Sequence, residues 1–406
     1  MKRTWVRYAL IFLIVAAAGS CGTSRKPAVL LDTGAVVQLL DVLDTIAAHT
    51  PAVEQTTERL GMLDPAGRRR LLDSLADQNG HDPAIGKAID ALVGSPGYQF
   101  YYSHFKNVTP AIHRDVLCHL PFEAADAPGN IGGVLHELYS HRKEVRQWMT
   151  TVAAGIDPER ARRIASDWLP PGEYTLPGTV FFYDGNGDAF AARNGVGFDL
   201  FGVMLGQLPE SQRFSELASM GSDWIEKTLA HEYHHIFSGD QIYSAPRENS
   251  PASAGVARIT RHIVSEGLAT QCDPRSSLDR EIITDTSVIG FWIANLKQHA
   301  ALFAADPQGS AVASRWLDSC SGILATEQRD LFLRRRFGDA GADSAAARAI
   351  IRPDMIHTLG RWMVQHISHD GQDKSMALGL LHHPDSIYVW YDRSMAAAPQ
   401  ELKFGW

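Results

Sequence analysis

Residues 228–237 read Thr-Leu-Ala-His-Glu-Tyr-His-His-Ile-Phe, and within them His231, Glu232 and His235 form a His-Glu-x-x-His pattern. On a helix, positions four apart differ by only about 40° around the axis, so the two imidazoles can grip one divalent cation. Glu232 lies on the adjoining flank, within reach of a water at that cation. The chemistry such a trio would do is metal-assisted hydrolysis, with the carboxylate as general base. His234 is rotated off that face and is not expected to be a ligand. Ile225, Leu229, Tyr233 and Ile236 fall on the other side and should seat the helix in the core.

A catalytic zinc takes three protein ligands and keeps one position open. One zinc-protease layout continues with Gly and His at places held here by Ser238 and Gln241, which excludes it. Asp240 and Asp273 are eligible third ligands, but Glu266 is preferred, in Ile263-Val264-Ser265-Glu266-Gly267-Leu268-Ala269-Thr270. A carboxylate in an apolar, small-residue helix needs a partner if buried, and a metal supplies one. Its bland counterpart is a surface Glu on an amphipathic helix.

Two other clusters fail on spacing. His136 and His141, with Glu137 between them, are five positions apart, about 140° on a helix, so they do not face one ligand. A solvated helix face accounts for them better. Asp184-Gly185-Asn186-Gly187-Asp188 opens like a calcium loop, but Ala189 stands where such a loop needs Gly and Gly195 where it needs Glu. A plain turn is the preferred reading.

The elements that must position these groups can be read from periodicity. Apolar residues at 36, 39, 40, 43 and 46 mark a helix over Val36–Ala48, and further helices are expected at 67–78, 83–93, 131–154 and 158–168. Pro170-Pro171-Gly172 is the clearest boundary in the chain. Beyond it Thr179–Tyr183 and 195–201 read as two strands of a hairpin just upstream of the metal-site helix. Ser222-Asp223 with Glu226 resembles a capping box opening that helix, and Ser238-Gly239-Asp240 should end it near Phe237. A second helix is expected at about 255–271, carrying Glu266, and the remainder is mostly helical. The fold class expected is α+β and predominantly helical. It comprises a helical region over 21–170, strands plus the His-Glu-x-x-His helix over 171–240, and a helical part over 241–406.

At 406 residues the chain is long enough for a sizeable core, and its 45% hydrophobic and 21% charged residues are ordinary for a soluble globular enzyme. A net charge of −8 without any basic block argues against a nucleic-acid partner. Lys2, Arg3 and Arg7 followed by an apolar run over Tyr8–Ala18 read as a secretory signal, too short for a comfortable membrane span. Ala18-Gly19-Ser20-Cys21 resembles a bacterial lipobox, with Ala18 where Leu is usual. The expectation is therefore a signal over 1–20, lipidation of Cys21 in preference to an ordinary signal cut after Ala16-Ala17-Ala18, and an exported protein anchored to the bacterial cell envelope, on the outer-membrane or periplasmic side in a Gram-negative cell. Cys118, Cys272 and Cys320 then allow one disulfide in three pairings.

His231-Glu232-x-x-His235 followed by Ser265-Glu266-Gly267-Leu268-Ala269 resembles the gluzincin group, the thermolysin-like zinc peptidases, and is closer still to uncharacterised bacterial families of predicted zinc-dependent proteases within it. The resemblance covers roughly 175 to 395. It implies a single catalytic zinc held by His231, His235 and Glu266, Glu232 as general base, and a peptide or protein substrate. Met355–Met363 is similar to a C-terminal helix of those families, where a Tyr often stands at the place of His357, and it makes His357 a candidate to stabilise the oxyanion. The chain departs from thermolysin in a longer link between second His and Glu and in Thr270, which stands where an Asp four residues after the Glu would orient a zinc histidine. Three readings follow: a zinc peptidase of the envelope, a zinc-binding or scaffold lipoprotein without turnover, and a helical envelope protein whose motif arose by chance.

Overall fold

The computed structural model describes residues 29–50, 53–105, 108–122, 131–185, 189–192, 194–201, 221–244, 254–272, 286–304, 355–369 and 373–405. Strand β1 (Leu30–Asp32) leads into helices α1 (Gly34–His49), α2 (Val53–Gly61), α3 (Pro65–His81), α4 (Pro83–Val93), α5 (Pro96–His104) and α6 (Pro110–His119). Then come α7 (Ile131–Ser140), α8 (Arg142–Val152) and α9 (Pro158–Ser166), followed by strands β2 (Thr179–Tyr183), β3 (Ala189–Ala192) and β4 (Gly195–Asp199). The remaining helices of the described residues are α10 (Asp223–Ser244), α11 (Ala254–Ala269), α12 (Thr286–Ala304), α13 (Met355–Ile367), α14 (Lys374–Gly379) and α15 (Ile387–Ser394). The protein is predominantly helical with one small four-stranded sheet. None of the described helices is long and apolar enough to cross a membrane.

Many of the N-terminal helices start from one local signal. Asp64, Asp82, Ser95, Thr109 and Asp157 each stand just before a Pro, and each side chain accepts a hydrogen bond from a backbone N–H of the following first turn. The side-chain oxygen satisfies a donor that the helix itself cannot, while Pro at the next position loses nothing because its N–H is absent. The five apolar positions expected on α1 (Val36, Leu39, Leu40, Leu43 and Ile46) are all buried. The single helix expected over 131–154 is instead two, α7 and α8, broken at His141.

The sheet corrects the expected hairpin. Its strand order is β1-β2-β4-β3, and β2 runs parallel to β4, with Tyr183 opposite Asp199. The antiparallel partner of β4 is β3, which lies in the stretch expected to be only a turn and link. β1 adds in parallel at the far edge of β2. Gly197 explains why β3 fits where it does: a Cβ there would lie 2.3 Å from the Phe190 ring, so the aromatic side chain of β3 occupies the space that any other residue on β4 would need. Val196 and Phe198 on the alternate positions are fully buried.

Around the turn after β2, Asp184 and Asp199 serve backbone donors: Asp184 Oδ1 accepts from Phe201 N at 2.6 Å and Asp199 Oδ2 from Gly185 N at 2.8 Å. Both carboxyls are wholly buried. Residues 186–188 lie outside the described residues. Cys118 and Cys272 are buried and form no disulfide with each other; Cys21 and Cys320 lie outside the described residues.

α10 extends further than expected, through Ser238 and Gly239 to Ser244. Ser238 is buried and its hydroxyl donates to the His234 carbonyl one turn back at 2.7 Å, while Ile242 buries the following turn. The start of α10 is tied to α9. Glu226 accepts from Asp157 N at 3.0 Å and pairs with Arg160 at 2.5 Å, and Arg160 also pairs with Asp223. The expected capping box is not formed: Ser222 Oγ donates to Glu226 Oε1 at 3.0 Å, and the Glu226 carboxylate is shared with α9, while Asp223 pairs with Arg160 and Lys227. α10 packs on α11, and α11 in turn on α13.

Candidate metal centre

His231 and His235 project from the α10 face that meets α11, with their Nε2 atoms 3.0 Å apart. The opposite side of α10 is core: Ile225, Leu229 and Tyr233 are fully buried. Glu266 on α11 reaches between the two imidazoles, its Oε2 lying 3.4 Å from His231 Nε2 and 3.2 Å from His235 Nε2. His357 on α13 approaches the same oxygen, with Nε2 2.8 Å away, and its ring lies nearly parallel to that of His231 at 5.7 Å. Donor atoms of His231, Glu266 and His357 all fall within 4.8 Å of one another.

Two glycines make this convergence sterically feasible. A Cβ on Gly267 would lie 2.5 Å from the Gly360 carbonyl oxygen, and one on Gly360 would lie 2.4 Å from the Ile263 oxygen. α11 and α13 therefore touch backbone to backbone, beside Glu266 and one turn from His357. Any side chain at either position would push the two helices, and with them the two donors, apart.

The donors fit a metal ion. A tetrahedral centre with bonds of about 2.0–2.1 Å places neighbouring donor atoms about 3.3 Å apart; Glu266 Oε2 lies 2.8 to 3.4 Å from the three imidazole nitrogens, and the two α10 imidazoles are 3.0 Å apart. Glu266 Oε2 has three imidazole nitrogens at this range, yet it is buried and accepts no hydrogen bond of good direction. A buried carboxylate oxygen crowded by three imidazole nitrogens is what a shared cation would reconcile.

Burial pushes His231 down to about 3, so it is neutral and competent as a ligand at ordinary pH. Burial would press His235 down as well, but the charges of Glu266 and Glu232 outweigh it and raise it above its usual value. For Glu266, burial pushes upward, and the neighbouring His235 and His357 overcome it and hold the carboxyl well below the carboxylate range. Glu232 is buried beside this group.

The outer partners were only partly legible. Ser265 Oγ stands 3.0 Å from His235 Nδ1 and fixes that ring from behind. Thr270 does not take the part an acid plays in thermolysin: its hydroxyl donates to the Glu266 and Gly267 carbonyls of its own helix. His234 is fully buried, with Nε2 3.0 Å from the Trp168 carbonyl oxygen and its pKa pushed down to about 3 by burial. It is a core histidine, as its rotation off the ligand face implied. Ser265 stands directly before Glu266 in the sequence, and that place is the signal that could have found it. His136, Glu137 and His141 form no donor cluster among the described residues, whereas the side chain of Asp240 and all of Asp273 lie outside them.

Helices from three parts of the chain thus bring together a His/Glu cluster that could hold a metal ion. The family described as "Putative zinc dependent peptidase (DUF5700)" matches residues 89–305, more than half of the chain, and the protein belongs to that family. The matched span contains α10 and α11 with His231, Glu232, His235 and Glu266, and ends before α13. No curated protein and no solved structure matches the chain.

Proposed function

We propose that the protein is a zinc-dependent peptidase of gluzincin type that hydrolyses peptide bonds of peptide or protein substrates. The observation that carries this reading is the meeting of His231, His235 and Glu266 from two helices, with the buried Glu232 next to the first of them. Family membership supports the same activity at a general level.

In this reading His231, His235 and Glu266 hold one zinc. Bound there, zinc supplies Lewis acidity toward the scissile carbonyl and makes a water nucleophilic near neutral pH. Glu232 takes a proton from the attacking water as the new C–O bond forms. It then delivers that proton to the nitrogen as the C–N bond breaks, so the products are a free carboxylate and a free amine. Ser265 keeps the His235 ring oriented, and the α9–α10 clamp through Glu226 and Arg160 keeps the start of the helix in place.

Glu232→Gln tests the assignment. It should bind zinc as the unaltered protein does and lose peptide hydrolysis by about 10²- to 10⁴-fold. Undiminished hydrolysis would remove Glu232 from the mechanism.

A further inference from the structure

We propose that His357 is a fourth protein donor to the metal, making the centre one of three imidazoles and one carboxylate. The assignment rests on the zinc reading above and adds a residue outside both the His-Glu-x-x-His helix and the family-matched span of 89–305.

Three observations converge on it. His357 Nε2 lies closest of the three imidazole nitrogens to Glu266 Oε2, at 2.8 Å against 3.2 and 3.4 Å. It also shares a 4.8 Å sphere with the donors of His231 and Glu266. An ion pair with Glu266 would use the carboxylate once, but Oε2 has three nitrogens around it and no hydrogen bond of good direction from any. Three imidazole nitrogens and a carboxylate oxygen converging on one small space are the donor set that one cation gathers. Lastly, the Gly267–Gly360 crossing brings α13 to backbone contact with α11 one turn from His357, so the approach of His357 is built into the fold.

The consequence is chemical. A three-ligand site leaves its fourth position to water or substrate, whereas a site with four protein donors is closed at rest. Substrate or water must then enter by raising the coordination number to five or by displacing one donor. His357 is the one to yield: it comes from a third helix, and its side chain is 24% exposed, the most of the four beside Glu266 at 18%, His235 at 19% and His231 at 5%.

X-ray absorption at the zinc edge of the full-length chain counts the imidazoles directly. Three imidazoles in the unaltered protein and two in His357→Gln are expected, with one zinc per chain in both. Gly360→Ala should also drop the count from three to two, because it moves His357 without removing it. Two imidazoles in the unaltered protein would overturn the proposal while leaving the three-ligand centre standing. A chain that binds no stoichiometric zinc would overturn the zinc reading and the fourth donor together. The spectrum of the unaltered protein decides the matter even if neither variant folds.

Discussion

Glu266 and Asp184 are both carboxyls taken out of water, and the protein drives them in opposite directions. Glu266 meets imidazoles from α10 and α13, and these hold it ionised well below the carboxylate range against the pull of burial. Asp184, at the end of β2, meets a second acid, Asp199, on the neighbouring parallel strand; burial, then that like charge, raise it well above its usual value. Burial sets the stakes and the neighbours set the sign. The first arrangement is an anion held among imidazoles. The second is an acid pair that ties the ends of β2 and β4 together, each member accepting a backbone N–H from just beyond the other strand.

Substitutions that alter one region and spare the other sharpen this contrast. The larger effect belongs to the metal side. Ser265→Ala removes the hydroxyl behind His235 and should weaken zinc binding by about 10- to 100-fold in chelator competition, with no change in the pH dependence of unfolding. Unaltered zinc affinity would mean that His235 is oriented by something else.

The smaller effect belongs to the acid pair. Asp184 keeps its proton in the folded chain at pH values where the unfolded chain has released it. Its contribution is therefore full at low pH and is lost as pH rises toward the elevated folded value, by up to about 1.4 kcal/mol per pH unit. Asp184→Asn copies the protonated form: its oxygen can still accept from Phe201 N, and its amide can donate toward Asp199. Denaturant unfolding from pH 5 to 8 should show a flatter slope for the variant, with zinc binding intact. An unchanged slope would show that Asp184 is ionised in the fold.

What could be read from the sequence follows the distance over which each feature is encoded. The two histidines and Glu232 lie within five residues on one helix, and the cap-then-Pro starts of the N-terminal helices are just as local. Glu266 stands 31 positions beyond His235, yet as the one charge in the apolar, small-residue segment 263–270 it could be singled out as a candidate. His357 was singled out for a role at the oxyanion. That it approaches Glu266 depends on a glycine-to-glycine crossing between helices some 90 residues apart, which no periodicity reveals. The hairpin failed for the same reason. Strand character at 179–183 and 195–201 was visible, but β3 inserted between them in sequence and took the antiparallel edge, leaving the two expected partners parallel. β1, three residues long, carried too little pattern to be seen. The end of α10 was misplaced because Ser238-Gly239 reads as a stop, while a buried serine bonded within the helix and Ile242 packed beyond it carry the helix on.

The central claim is that Glu266 holds a metal together with His231 and His235. It is tested most directly by measuring the zinc content of the purified chain beside that of Glu266→Ala, each dialysed against a weak chelator. One zinc per chain in the first is expected. In the variant, loss of a ligand should cost more than the roughly 100-fold that an outer partner can cost, leaving it essentially metal-free. Equal zinc in both, or none in either, would contradict the account.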